Sequence, residues 1–281
     1  MMSNKQKETS HIASSAEVMM NLAKAHFLDA TLQRNQPENS LLERYHLRED
    51  KKQEEQQQNL ESIMSLALSA CDQEAASQPD IGWFYEFINI AKNVFNPTMQ
   101  KLWALVLKHE LASPGQISFR SMHTLKSLTP KDAQALQKIT RLGCHIGSDN
   151  CKKLLTYTTC TIGLFPFSSK KQLIPIDNQK YGVGFAQILL LIELGILHNT
   201  EVTVDSSSAC SIRLRYKQSV YSLSTPNKET KLFYYRFSPI GNELSSLFEG
   251  KGEVNYIDDV ISDLNKHFKN ITKTSDIDEI I

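Results

Sequence analysis

A mainly α fold with a small β part is what this sequence predicts, arranged as a helical arm, a central helical bundle and a C-terminal winged-helix-like α+β region. Three observations carry that expectation. Apolar residues recur at alternating steps of three and four through much of the first 79 residues, the spacing of one helical face. Between Asp80 and Gly147 three helix-start signals, Asn96-Pro97, Ser118 and Thr129-Pro130, punctuate apolar stripes. Short strand-like runs become frequent only after Gln179.

The arm, residues 1–79, reads as two helices. Ile12, Ala16, Met19, Ala23, His26 and Ala30 share one face, and Pro37 ends it. Ser40 opens the second helix with Glu43 three residues later, a capping box in which each side chain satisfies the other's end of the backbone. The stretch from Glu49 to Gln58 is wholly polar, and the apolar seam resumes at Leu60, Met64, Ala67 and Cys71. A long helix with a solvated middle and apolar ends suits an arm or a self-associating hairpin as well as a helix lying on its own domain.

The bundle, residues 80–147, begins with a stripe of Phe84, Ile88, Ala91 and Phe95. Asn96 caps the next helix, with Pro97 in the first turn, where its missing N–H costs nothing. Met99, Leu102, Trp103, Val106 and Leu107 form that helix's buried face, and Ser113-Pro114-Gly115 ends it. Ser118 caps a short helix carrying Met122 and Leu125, and Thr129 with Asp132 starts another that stops near Gly143.

The last region, residues 148–281, starts with a β-like mixture of Thr, Tyr and Phe from Leu154 to Phe167, which predicts one or two short strands. An apolar helix through Ile188, Leu189 and Ile192 reads as a core helix stopped by Gly195. Strand-like runs follow at Val202–Val204, Ser211–Lys217, Val220–Ser224 and Lys231–Phe237, with Pro226-Asn227 as a turn. Ser238-Pro239 caps a helix, a final amphipathic helix runs through Val254, Ile257, Val260 and Leu264, and the chain closes on an acidic tail. That order of helix, hairpin and helix predicts the winged-helix-like module.

Composition narrows the function. The 281 residues carry 31 basic and 31 acidic side chains, so any surface for nucleic acid or an anionic membrane must be local. Five cysteines, Cys71, Cys144, Cys151, Cys160 and Cys210, stand at irregular spacings without a Cys-x-x-Cys, the usage of reduced thiols. The polar start and an apolar run too short for a bilayer predict a cytoplasmic protein without signal peptide or membrane span.

Between Lys51 and Ala133 the chain resembles a bacterial family of conserved hypothetical proteins of unknown function. Trp83-Phe84-x-x-Phe87, Gln100-x-Leu-Trp-Ala104, Glu110, Pro114-Gly115, Ser118, Arg120 and Asp132-Ala133 carry the resemblance, preceded by a charged lead-in helix from Lys52 to Ile63. It implies a bacterial cytoplasmic origin and supports the domain boundaries. It implies no activity, cofactor or catalytic residue.

Glu110 lies three and four residues after Leu107 and Val106, so its carboxylate projects from the apolar side of its helix and must be paired. Arg120, past the Pro-Gly turn, and the amides of Ser118 and Phe119 are the candidate partners. The arrangement suits either a general acid or base, or a structural clasp on the turn. With no second titratable group at useful spacing, the clasp of Glu110 and Arg120 is the adopted reading. Cys144, His145, Cys151 and Cys160 lack metal-ligand spacing, and no phosphate loop or nucleophile elbow occurs. Arg213, Arg215 and Lys217 alternate with Ile212, Leu214 and Tyr216, placing three cations on one strand face, where they either contact an anion or nucleic acid or form a solvated face. The function expected is a non-catalytic interaction or regulatory protein that self-associates through its N-terminal helices, with a protein or a second copy as partner and no cofactor or metal. The alternative is a nucleic-acid-associated factor using the Arg213, Arg215 and Lys217 face.

Overall fold

A computed structural model describes residues 14–32, 39–71, 76–162, 170–205, 211–224, 230–248, 250, 252–268 and 270–274. The chain divides into two compact units, Met1–Ser62 and Ile63–Ile281, and the division falls within a single helix.

The first unit holds α1 (Ser15–Ala25) and most of α2 (Leu41–Ala70). Ser14 and Glu17 close α1 with a capping box, as Ser40 and Glu43 do for α2: the Ser40 amide donates to Glu43 at 2.6 Å and the Glu43 amide to Ser40 at 3.3 Å. Over its 30 residues α2 runs about 45 Å. Its polar middle pairs with itself, Lys52 with Glu49 and Lys51 with Glu55, while Lys51 also donates to the Ala25 carbonyl at the C-terminal end of α1. That contact sets a cation against the negative end of the α1 dipole. Ile12 lies outside the described residues.

The second unit continues with the end of α2, where Ile63 and Ala67 are buried, then α3 (Ile81–Ala91), α4 (Pro97–Ala112), α5 (Phe119–Ser127) and α6 (Pro130–Leu142). The start signals hold at each of the last three: Asn96, Ser118 and Thr129 accept from first-turn amides, and Asp132 completes the Thr129 box. The buried stripe of α3 is Trp83, Phe87, Ile90 and Ala91, about one residue round from the stripe expected, and Phe95 is exposed. Two large aromatics decide the rotation. Phe87 stacks on Trp83 with ring centres 5.5 Å apart and meets Trp103 of α4 at 5.7 Å, a larger payload than Phe84 and Ile88 offer.

The C-terminal part corrects the expected mainly α fold with a small β part. Among the described residues eight strands form one antiparallel sheet, so the fold is α+β, and no separate winged-helix-like module stands apart from that sheet. The strands are β1 (Cys144–Ile146), β2 (Asp149–Ile162), β3 (Lys170–Pro175), β4 (Leu197–Asp205), β5 (Ile212–Tyr216), β6 (Ser219–Ser224), β7 (Lys231–Phe237) and β8 (Asn270–Thr274). Their order is β4-β7-β2-β1-β5-β6-β8, with β3 pairing β2 beyond β1. The hairpin β5–β6 expected as a wing lies between β1 and β8 instead.

The 14-residue strand β2 begins five residues before the β-like stretch that the sequence marks at Leu154, and its first part is what the sequence hides. Lys152 to Leu155 are buried in succession, as are Thr158 to Cys160. A strand covered on both faces shows no alternation of apolar and polar residues. Two lysines in the run disguise it further. Lys153 is buried because its ammonium meets the Asp149 carboxylate at 3.0 Å and the Cys151 carbonyl at 2.8 Å.

The remaining helices are α7 (Phe185–Glu193), α8 (Pro239–Ser246) and α9 (Tyr256–Leu264). In α7 Ile188 and Leu191 are buried while Phe185 and Leu189 are exposed, so it is half-covered rather than the core helix expected. Gly241 lets α8 touch the chain entering β4: a Cβ there would lie 2.0 Å from the Ile196 carbonyl oxygen. The Pro226-Asn227 turn and the acidic tail lie outside the described residues. No described helix is long and apolar enough to cross a membrane.

Candidate functional site

Glu110 is 1 % exposed, and both its carboxylate oxygens are engaged. Gly115 N–H donates to one at 2.6 Å and Ile117 N–H to the other at 3.3 Å, so the carboxylate holds the turn between α4 and α5 by its backbone. These amides take the place of the Arg120 pairing expected from spacing, and Arg120 is exposed on the first turn of α5. The Ser118 amide, the other partner considered, donates to Glu243 of α8 at 2.8 Å, and the Ser121 hydroxyl joins it at 2.7 Å. Trp83 completes the clamp by donating to the Ile117 carbonyl at 2.7 Å. These bonds together brace one turn.

Arg213, Arg215 and Lys217 do come to one place, a cleft of about 1280 Å³ between the β1–β2 and β5–β6 hairpins and the segment around residues 250–257. Arg213 and Arg215 project from the exposed face of β5, while Ile212, Leu214 and Tyr216 fill the other. Lys217 leaves the strand and stands first in the tight turn to β6, with φ of 54°. A lysine in the left-handed region costs of order 1 kcal/mol that glycine would not.

Two further residues reach the cleft that sequence reasoning did not assign to it. Lys152 lines it from β2, its ammonium 2.9 Å from the Ser245 hydroxyl. His145, opposite Arg215 across the β1–β5 pairing, presents the other. Its Nδ1 is buried without a hydrogen-bond partner among the described residues. Burial first, then the charges of Arg215, Lys152 and Lys153, push the imidazole down to about 4, so it is neutral at pH 7. Glu253 is the one acid lining the cleft among the described residues, and it lies 3.8 Å from Arg141. The cleft is therefore basic although the chain is neutral overall. Period two along β5 made the arginines visible in the sequence. Lys152 and His145 were not, because β1 and β2 carry no such signal.

Beneath the cleft Tyr216 ties three elements together, its hydroxyl donating to the Arg141 carbonyl at 2.7 Å and accepting from Glu253 N–H at 2.9 Å. Cys144 is buried, its thiol donating to the Lys153 carbonyl at 3.4 Å, and burial pushes it up to about 12. Such a thiol is not ionised near neutral pH and makes a poor nucleophile. Cys151 lies against Arg236, which also binds Asp149 through two nitrogens and holds that carboxyl well below the usual carboxylate range. No group of three or more His, Cys, Asp or Glu gathers to hold a metal among the described residues. Cys210 lies outside them.

A second surface belongs to the first unit. Val18, Met19, Leu22, Leu28, Leu32, Leu41, Leu42, Tyr45 and Leu47 are all exposed, half of the exposed large apolar side chains in the molecule's described residues. Ala23 is the one apolar residue of this unit that is buried among them.

The model of a family described as a protein of unknown function, DUF2806, matches residues 43–261. The chain belongs to the DUF2806 family. The match runs well past the stretch from Lys51 to Ala133 that carries the resemblance. It takes in β5 and most of α9, so the basic cleft falls inside the DUF2806 region while α1 precedes it. No curated protein and no solved structure matches this DUF2806 chain.

Proposed function

We propose that this chain is a non-catalytic interaction protein of the cytoplasm that self-associates through α1 and α2. The observation that carries this is the concentration of nine exposed large apolar side chains among the described residues of a unit in which Ala23 is the one buried apolar residue described. Patches of that kind on a soluble protein mark contact surfaces. Covering each of these half-exposed side chains is worth about 1 kcal/mol. Two copies related by a two-fold axis would contribute about 18 kcal/mol together, against roughly 4–15 kcal/mol lost on association. The balance reaches micromolar affinity, and a second copy supplies the same apolar chemistry on the same surface. The self-paired charges of the α2 middle leave register to the apolar ends.

Light scattering on the full chain tests the proposal. The wild type shows a mass above the 31.9 kDa monomer, and the double variant L22E/L42E, altered at two exposed positions, falls to it. A wild type that stays monomeric up to about 100 μM ends the proposal.

A second reading is favoured by the cleft: the body of the protein binds an anion. Arg213, Arg215 and Lys217 line it from β5 and the turn that follows, with Lys152 beside them bound to Ser245, against Glu253 as the lining acid. The two readings are compatible, since one concerns the arm and the other the sheet.

A further inference from the structure

We propose that the basic cleft binds a sugar mono- or diphosphate rather than a nucleic acid, an assignment that rests on the reading of the cleft as an anion site. Arg213 and Arg215 stand two residues apart on the exposed side of β5, about 6.7 Å along the strand. That spacing lets two guanidinium forks approach one phosphoryl group or two adjacent ones, and such forks match phosphate oxygens bidentately. Lys217 adds a third cation from a turn position where glycine would be less strained. A residue held there against its backbone preference points to use of its side chain. Ser148, Asn150 and Gln218 lie on the same lining, neutral groups able to donate to phosphoryl oxygens.

The rest of the lining distinguishes between anions. Single strands are held by stacking bases on aromatic faces. The described lining holds two aromatic rings, Tyr216, which is buried with its hydroxyl taken by Arg141 and Glu253, and the half-buried His145; one accessible ring makes no platform for successive bases. Reading base edges in a duplex needs a protruding helix or ribbon that enters a groove, whereas these cations line a concavity. The half-exposed helix α7 offers Phe185 and Leu189 to solvent instead of cations. A concave cleft of about 1280 Å³ has room for a small polar molecule. Glu253 repels the phosphoryl end but accepts hydrogen bonds from hydroxyl groups, so the ligand that satisfies both ends carries hydroxyls on a phosphate ester.

Calorimetric titration of the full chain tests this, with fructose 1,6-bisphosphate, ribose 5-phosphate, inorganic phosphate and a short DNA duplex as probes. The expected result is binding of the sugar phosphates that weakens by about tenfold or more in R213E/R215E, whose melting temperature stays at the wild-type value because both positions are exposed. E253Q should weaken the sugar phosphates relative to inorganic phosphate, which loses a repelling charge and binds no more weakly. If inorganic phosphate binds as tightly as the sugar phosphates and E253Q affects neither, the sugar part is overturned while the anion site stands. If the duplex binds with steep salt dependence and R213E/R215E abolishes it, the nucleic-acid alternative replaces this assignment. If no probe binds at about 1 mM, both the assignment and the anion site fall.

Discussion

Replacing Glu110 with alanine removes the acceptor of two amides in the turn between α4 and α5, and their surroundings differ. Ile117 is buried, so its N–H loses its partner with no solvent to take over, whereas Gly115 is exposed and can turn to water. An orphaned buried amide costs about 1–3 kcal/mol, and losing a charge-assisted bond at the Gly115 amide adds about 1 kcal/mol. Ending the desolvation of a nearly covered carboxylate offsets part of this. The net loss is about 2 kcal/mol, a fall of roughly 4–8 °C in melting temperature for a unit of this size. Glu110→Gln keeps an acceptor for one amide but turns an NH2 towards the other, so about half the effect is expected. Arg120→Ala, at an exposed position, should change almost nothing. Thermal unfolding followed by circular dichroism reads all three. A Glu110→Ala protein melting within about 2 °C of wild type, or an Arg120→Ala protein as unstable as Glu110→Ala, would refute the account of Glu110 as a clasp on backbone amides.

Gly241→Ala should cost about 3 kcal/mol or more, because the new methyl meets the Ile196 carbonyl at 2.0 Å and the contact is with backbone on the other side; chemical denaturation checks it, and a change below about 1 kcal/mol would mean that α8 shifts freely. His145 makes stability depend on pH with a definite sign. Its imidazole is lowered from 6.5 to about 4 in the fold, so the unfolded chain binds more protons between those values, and stability is full above 6.5 and lost as pH falls towards 4. His145→Asn should flatten that part of the pH–stability curve, and parallel curves for variant and wild type would count against a neutral buried imidazole.

How much could be read in advance follows from the range of each interaction. Ser40 with Glu43, Asn96 with its first-turn amides and Thr129 with Asp132 act within three residues, and each forms as its spacing predicts. Period two along β5 likewise placed Arg213 and Arg215 on one face. The same argument misplaced the α3 stripe, because the position of the Trp103 ring, and not the periodicity alone, selects which face turns inward. Glu243 capping α5 from 125 positions away left no local trace.

Within the chain's own order of residues lie the helix ends, the alternation of β5 and the polar middle of α2 between apolar ends. These depend on neighbours a few bonds apart, whose geometry is set by backbone hydrogen bonding and side-chain direction. The tertiary structure alone decided that eight strands share one sheet, that Lys152 and His145 join the arginines of β5 around a cleft, and that Glu110 holds amides instead of Arg120. The physical reason is burial on two faces. Once β2 is covered on both sides its residues need no alternation, and its lysines can be buried where polar groups receive them, Lys153 against Asp149 and the Cys151 carbonyl and Lys152 against the Ser245 hydroxyl of α8, which local pattern does not reveal.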